Sequence, residues 1–445
     1  VKFPFPARRR RQRILPLAVP IIGGMVSQNI VNLVDTYMVG SLGDAALAAV
    51  GMGGFANWLS MAFITGLAVG VQAMASRRLG EGNRDTMALP LNGGLVQAFV
   101  LGVPLSMLAI FATPYFFPLL VDDPAVYELG IPYLRIRLLG MVAVAMNFAF
   151  RGYWNGVNLS RLYMGTLVVM HVTNVSVSWV LIFGHFGMPE LGVRGAAIGS
   201  AVAAWVGTGV YFWHGLRNAR QAGFLHGIPS MESMLTMFRL SMPSGVQQLF
   251  FAGGMTAFLW VIGKVGTASL AASNVMMNLV LVAVLPAVGF GLAAASLVGQ
   301  ALGAAEPKDA ERWGWEVAAL GAVVVGSLAA PAILVPELFL GLFIREPETV
   351  ALATTALRIV AMTIAVDAFG VILMNAHFGA GAVAHVTRIS IVLQWVLFLP
   401  TIFVLVTQFG LGLTAVWGAQ VVYRAVQSLV FSISWARGSW KSIRV

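Results

Sequence analysis

The chain of 445 residues is 59% apolar and 10% charged, carries a net charge of +10 and has no cysteine. An ordinary soluble domain is about 25% charged, and no soluble core of this length buries so much apolar surface, so a water-soluble enzyme or binding module is excluded. The missing cysteines exclude disulfides and thiolate metal sites and say nothing further about compartment.

In chain order, the run Arg8-Arg9-Arg10-Arg11 comes first, followed by an apolar stretch that is too long for a secretory signal peptide and lacks a small-residue cleavage site. It is read as the first span. Apolar segments of about 20 residues, each able to cross a bilayer of about 30 Å as a helix, recur along the rest of the chain. Twelve are expected, beginning near residues 14, 46, 90, 127, 162, 192, 237, 269, 313, 349, 384 and 411. They are uniformly apolar and do not alternate, which argues against a barrel. The expected fold is an all-α integral membrane protein.

From about residue 17 to 88, adding 223 to each number reproduces the sequence pattern. Pro20 meets Pro243, Gly40 meets Gly263, Gly66 meets Gly289, and Leu134-Arg135-Ile136 meets Leu357-Arg358-Ile359. Later the offset slips to 220, where Leu191-Gly192 meets Leu411-Gly412. Each repeat holds an even number of spans, so both enter the membrane from the same side. The expectation is two pseudo-symmetric six-helix bundles in a parallel repeat. The first covers residues 1–215 and the second 237–445, joined by the polar cytoplasmic linker 216–236.

Charge sets the orientation. Most basic residues lie in segments on the side of the N-terminus, among them Arg77-Arg78, Arg217, Arg220, Arg437, Lys441 and Arg444. The opposite loops hold Arg194, Lys264 and Arg345 among a majority of acids such as Asp122, Asp123, Glu346 and Glu348. Positive loops stay inside, which predicts cytoplasmic termini in a cell inner membrane. The basic excess is then a topology signal and a contact for membrane lipid, not a nucleic-acid surface.

Of the seventeen acids, Asp35 and Asp367 fall well inside predicted spans. A carboxylate in hydrocarbon costs roughly 2.5–3.5 kcal/mol on insertion scales and usually faces a cavity or the bundle interior. Burial favours the protonated carboxyl, because water no longer solvates the anion. Gln28 and Asn32 precede Asp35 on one stripe of the first span, so they face protein or water. Asp35 lies roughly 10 Å to the outer side of that span's midpoint, and Asp367 nearer the middle of the tenth. They are not repeat mates, since Asp35 maps to Phe258 and Asp367 to Val144. Asn174, Asn274, Asn278 and Gln247-Gln248 either line a cavity or bond neighbouring helices. Arg135 and Arg358 read as snorkelling or loop-pinning groups near outer helix ends. The Gly-rich pieces follow no strand, the six histidines hold no HExxH pair, and no Ser/His/Asp set suggests a nucleophile. No enzyme is expected, and no cofactor. Energy must come from a gradient.

The stretches VDTYMVGSLGDAALAAVG (34–51), ITGLAVGVQAMASRRLGEGN (64–83), FRGYWNGVNLSRLYM (150–164) and FGHFGMPELGVRGAAIG (183–199) resemble the multidrug and toxic compound extrusion (MATE) family, most of all its NorM-like branch. The resemblance covers nearly the whole chain. It implies twelve helices in two six-helix lobes and export of cationic amphipathic drugs and dyes by antiport. It also implies roles for Asp35 and Asp367 as the family's helix 1 and helix 10 aspartates. Asn174 is kept as the asparagine of the DinF-like branch and joins the ion-coupling set, while that branch's aspartate falls on Ser178. The NorM-like helix 7 glutamate falls on Phe251, which leaves a sodium cage one carboxylate short. Protons are therefore the expected coupling ion, with sodium as the alternative. Gln28, Asn32, Asn274, Asn278 and Asp367 form the expected substrate contacts, in a protein expected to act as a monomer. The competing reading is a lipid-linked precursor flippase of the same superfamily, which calls for a strongly basic cavity to hold a pyrophosphate. Against it stand the two mid-membrane acids, with the arginines expected nearer the helix ends.

Overall fold

The computed structural model describes residues 5–443, so Arg444 lies outside the described residues. It is helical throughout, with no strand among those residues. In lipid a helix pairs all its backbone groups internally, and uniformly apolar segments have no other soluble option. The first half holds α1 (Arg8–Gly40), α2 (Asp44–Ala62), α3 (Leu67–Gly80), α4 (Leu89–Phe116), α5 (Pro124–Leu139), α6 (Met141–Gly156), α7 (Ser160–Phe183) and α8 (Val193–Asn218). The second holds α9 (Met231–Gly263), α10 (Thr267–Gly303), α11 (Pro307–Leu334), the short α12 (Pro336–Gly341), α13 (Pro347–Gly379), α14 (Val383–Ile391), α15 (Leu399–Thr407) and α16 (Leu413–Arg437). Taking α2–α3, α5–α6 and α14–α15 as single spans gives the twelve expected.

The repeat survives to the residue. Adding 223 to Arg8–Gly40 gives Met231–Gly263, and adding it to Pro124 and Gly156 gives Pro347 and Gly379. The α2–α3 pair maps in the same way onto α10, from Thr267 to Gly303. The halves differ in where helices break. A 3₁₀ turn at Ile64–Gly66 separates α2 from α3, whereas α10 runs on. The α5–α6 pair bends by 47° at Gly140, whereas α13 is continuous. At the matching position Thr363 bonds back to the Ile359 and Val360 carbonyls and stays in the helix. Residues Val392–Phe398, between α14 and α15, form a π-helical turn that α7 lacks.

Two compact units emerge. One runs Gly23–Gly245; the other takes the chain up to Ile22 and again from Val246. Each change of unit falls inside a helix, two residues past a helix-interior proline, Pro20 in α1 and Pro243 in α9. The polar linker belongs wholly to the first unit. Asn92 of α4 donates to the Gly223 and Gly227 carbonyls and accepts from the Leu225 amide, and Phe224 is fully buried. Close packing explains two of the repeated glycines. A Cβ on Gly66 would strike the Ser241 carbonyl at the start of α9, and one on its mate Gly289 would strike Ile22 of α1.

The start of α1 is held by charge. Arg10 pairs with Asp309 and with Glu316 (2.5 Å each), Arg312 also binds Glu316 (2.6 Å), and the Arg10 guanidinium lies 3.5 Å over the Trp313 ring. Glu316 is 1% exposed, a third buried acid beyond the two expected. Arg10 is thus a structural contact as well as a topology signal. Breaking a buried pair from one side strands the other charge. Glu316→Ala is expected to cost about 3 kcal/mol, read as a lowered melting temperature in detergent. Adding Arg10→Ala to it should cost little more, and full additivity would show that the two do not act as one clamp.

Candidate functional site

The N-terminal cavity is built on α1. Gln28, Asn32 and Asp35 lie on one stripe, and Gln28 Nε2 donates to Asn32 Oδ1 at 3.2 Å. From α7, the Asn174 side-chain amide lies against both Asp35 and Ser200; turned so that its nitrogen faces the carboxylate, which pairs every group with an ionised Asp35, it donates to Asp35 Oδ1 (2.9 Å) and Oδ2 (3.2 Å). In that orientation the Ser200 hydroxyl of α8, which can donate or accept, donates to the Asn174 oxygen at 3.0 Å. These groups, with Arg137, His171 and the bend at Gly140, line a cavity of about 150 Å³. The Ser27 hydroxyl donates its one proton to the Gly24 carbonyl, so the hydrogen between Ser27 and His171 (3.0 Å) sits on His171 Nε2. Ser178 is fully buried against Gly199 and does not line the cavity. The sequence-expected set Gln28, Asn32, Asp35 and Asn174 is thus brought to one place.

The C-terminal half differs from expectation. Asp367 of α13 is not a free carboxyl, because Arg424 of α16 donates Nε to its Oδ1 at 2.6 Å and lies within 2.5 Å through Nη2. Arg424 Nη1 also donates to Gln427 Oε1 at 2.6 Å. The pair is 16% and 21% exposed and lines a cavity of about 40 Å³. The arginines expected near the helix ends therefore include two, Arg137 and Arg424, that line cavities. Arg135 and Arg358 do behave as pins, bonding the Ile110 and Ile333 carbonyls in matched positions. Asn274 and Asn278 are exposed on α10, and each donates to the carbonyl four residues back. Neither lines the Asp367 cavity. Phe251, at the position of the NorM-like glutamate, is exposed as well and lies outside it.

The two cavities are repeat mates even though their acids are not. Arg137, Gly140 and Val144 plus 223 give Val360, Thr363 and Asp367; Ser200, Ala201 and Ala204 plus 220 give Gln420, Val421 and Arg424. All six pairs face their respective cavities. Asp367 therefore stands where the first half has Val144, and Arg424 where it has Ala204. Conversely the Asp35 position becomes Phe258, which is buried against Trp417 and Phe398 with ring centroids 5.5 Å away in each case. Arg424 was missed because a search for lone acids passes over cations. The available signal was the double mapping of residues 367 and 424 onto residues 144 and 204 of the other half.

A family model described as MatE matches residues 20–180 and again 243–404, once in each half. A probable multidrug resistance protein NorM from Thermotoga maritima is 24% identical over 441 residues, covering 97% of this chain and 93% of that protein. Another so described, from Deinococcus radiodurans, is 28% identical and covers 91% of this chain and 90% of its own length. Among solved structures, a MOP superfamily transporter from Pyrococcus furiosus, titled as having a binding pocket of reverse polarity, superposes with a TM-score of 0.88 at 22% identity. It covers 97% of this chain and 96% of that one. An outward-facing multidrug resistance MATE transporter gives the same score at 23% identity, with the same coverage. At such identities the structures speak for the fold alone.

The environments of the two acids differ in a way that chemistry can read. Among the described residues no cation lies within ion-pair distance of Asp35, whereas Arg424 occupies Asp367. A carbodiimide attacks a protonated carboxyl and spares one locked to a guanidinium. In detergent, dicyclohexylcarbodiimide is expected to modify Asp35 at least several-fold more than Asp367, as read by peptide mass spectrometry. Equal labelling would contradict the asymmetry.

Proposed function

The chain belongs to the MatE family, whose model matches most of each half, and from that premise we propose that it is a secondary active multidrug exporter. It antiports cationic amphipathic compounds against protons by alternating access. It acts in the cell inner membrane with both termini cytoplasmic, as the basic inner-side residues suggest. Relatives described as multidrug resistance proteins along nearly the whole chain support this reading.

The observation that carries it is Asp35 in its cavity, beside a neutral amide, with Arg137 on the same cavity wall and, among the described residues, no cation within ion-pair distance. Such a carboxyl can take a proton or neutralise one positive charge of a drug, but not both. Ion and cargo then compete for one site, which is the linkage antiport needs. The choice of proton over sodium rests on the count of oxygens, since a sodium ion wants several while a proton needs one carboxyl. Phe251 stands where the NorM-like branch has its helix 7 glutamate, which leaves a sodium cage one carboxylate short. In the other half, Arg424 occupies the carboxylate a sodium ion would need. The flippase reading gains no support, because each cavity arginine shares its cavity with an acid and neither site is strongly basic.

Asp35→Asn is expected to lower drug-dependent proton flux in proteoliposomes to the level of empty liposomes, with the melting temperature kept within a few degrees. Full export by that variant would sink the assignment. Transport that follows a sodium gradient and ignores a pH gradient would overturn the choice of ion. Drug susceptibility of a hypersensitive bacterial strain expressing the chain, tested with ethidium, a fluoroquinolone and a phosphonium cation, checks the export itself.

A further inference from the structure

The two cavities stand on matching positions of matching helices, yet one measures about 150 Å³ and the other about 40 Å³. Two substitutions distinguish them. Asp35 lines the first cavity, whereas its mate Phe258 packs with Phe398 and Trp417 and does not line the second, and the Arg424 side chain enters the cavity where Ala204 leaves its counterpart open. Arg424 is more than filler. Its Nε and Nη2 face one carboxylate oxygen of Asp367, its Nη1 meets Gln427, and Tyr423 beside it also interacts with the guanidinium. A cationic group with several N–H donors thus sits on the C-terminal carboxylate, in the pocket that duplication made equivalent to the one around Asp35.

We propose that Arg424 is a tethered cation that occupies Asp367 in place of cargo, so that a monovalent organic cation binds this half only by displacing it. The inference rests on the reading of the chain as an exporter of organic cations and assigns Arg424 the role of selector within that reaction. One carboxylate cannot neutralise two cations, and in a site with little water the surplus positive charge is strongly disfavoured. An incoming monocation therefore meets a pocket that is already neutral. Binding requires the guanidinium to swing off Asp367, and the charge left on Arg424 then has to find water. The N-terminal pocket imposes a lesser exchange, because the group against its carboxylate is the neutral amide of Asn174 and its own arginine, Arg137, stands on the cavity wall beyond ion-pair distance. The two halves would accordingly differ in affinity for the same cation, with the C-terminal half the weaker until its arginine is removed.

The test measures binding of tetraphenylphosphonium to purified full-length protein in detergent, by calorimetry and by the shift in melting temperature. It is done in an Asp35→Asn background, so that the N-terminal carboxylate contributes nothing. Adding Arg424→Ala is expected to tighten binding at least ten-fold, and further adding Asp367→Asn to abolish that gain. Arg424→Lys, which keeps the charge, should remain as weak as the parent. If the alanine variant does not fold, Arg424→Gln takes its place, since it keeps an amide donor beside Asp367 without the charge, and the same outcomes apply. Unchanged affinity on removing the charge, or a gain that survives loss of the Asp367 carboxylate, would overturn the proposal. The assay uses no ion gradient, so a negative result here leaves the antiport reading standing. Tight binding by the variant with no export by the wild type would sink the antiport reading, and with it the selector role, and leave standing that the cation binds by displacing Arg424.

Discussion

A charge removed from water must find either an opposite charge or a set of hydrogen bonds, and that requirement organises this molecule more than any other. Three buried or half-buried carboxyls meet it in three ways. Glu316 is neutralised twice, by Arg10 and Arg312, and serves to fasten the start of α1. Asp367 is neutralised once, by Arg424. Asp35 receives amide hydrogens from Asn174 and opens onto a cavity. Of the three, only Asp35 has a neutral group as its nearest partner, with Arg137 on the same cavity wall but beyond ion-pair distance. The function assigned to the chain follows from that difference.

Duplication supplied two copies of one scaffold, and the copies diverged where the scaffold makes pockets. Six positions line both cavities, yet the side chains there differ almost entirely. In the first half the helices also break near the pocket, at Gly140 and around Ile64–Gly66, while their mates α13 and α10 run through. In the second half Phe258, Phe398, Trp417 and Tyr423 pack together, and Trp417 ties itself to Ser273 through its indole N–H. Aromatic packing of that kind favours a fixed shape. The polar first cavity and the second one, mostly aliphatic around its ion pair and braced by this aromatic packing, are consistent with an unequal division of labour between the halves.

Much of this was legible in the sequence. The boundaries of α1, α2–α3 and α5–α6 coincide with those of their mates under the offset of 223 because the same faces must be buried and the same turns made, as at Gly66 against Ser241 and Gly289 against Ile22. The stripe Gln28, Asn32 and Asp35 was readable because helical spacing places those residues together. The partner of Asp367 was not, since it lies fifty-seven residues away on another helix and no local spacing announces it. Glu316 was passed over because it sits near the start of its span, where an acid is ordinarily wet; its burial comes from Arg10, about three hundred positions earlier. Asn274 and Asn278 share the polarity of cavity residues, but their amides are spent on their own helix. Composition cannot tell those two uses apart.

The changeovers inside α1 and α9 bear on where such a protein came from. Each compact unit is completed by the opening turns of the helix that begins the other repeat, down to the glycine against which those turns rest. A chain of half this length, carrying one repeat, would have lacked a piece of its own core and supplied the missing piece to a neighbour. Such a half-chain would be whole only as a reciprocally exchanged pair, and the duplicated chain holds both exchanged pieces within one covalent molecule.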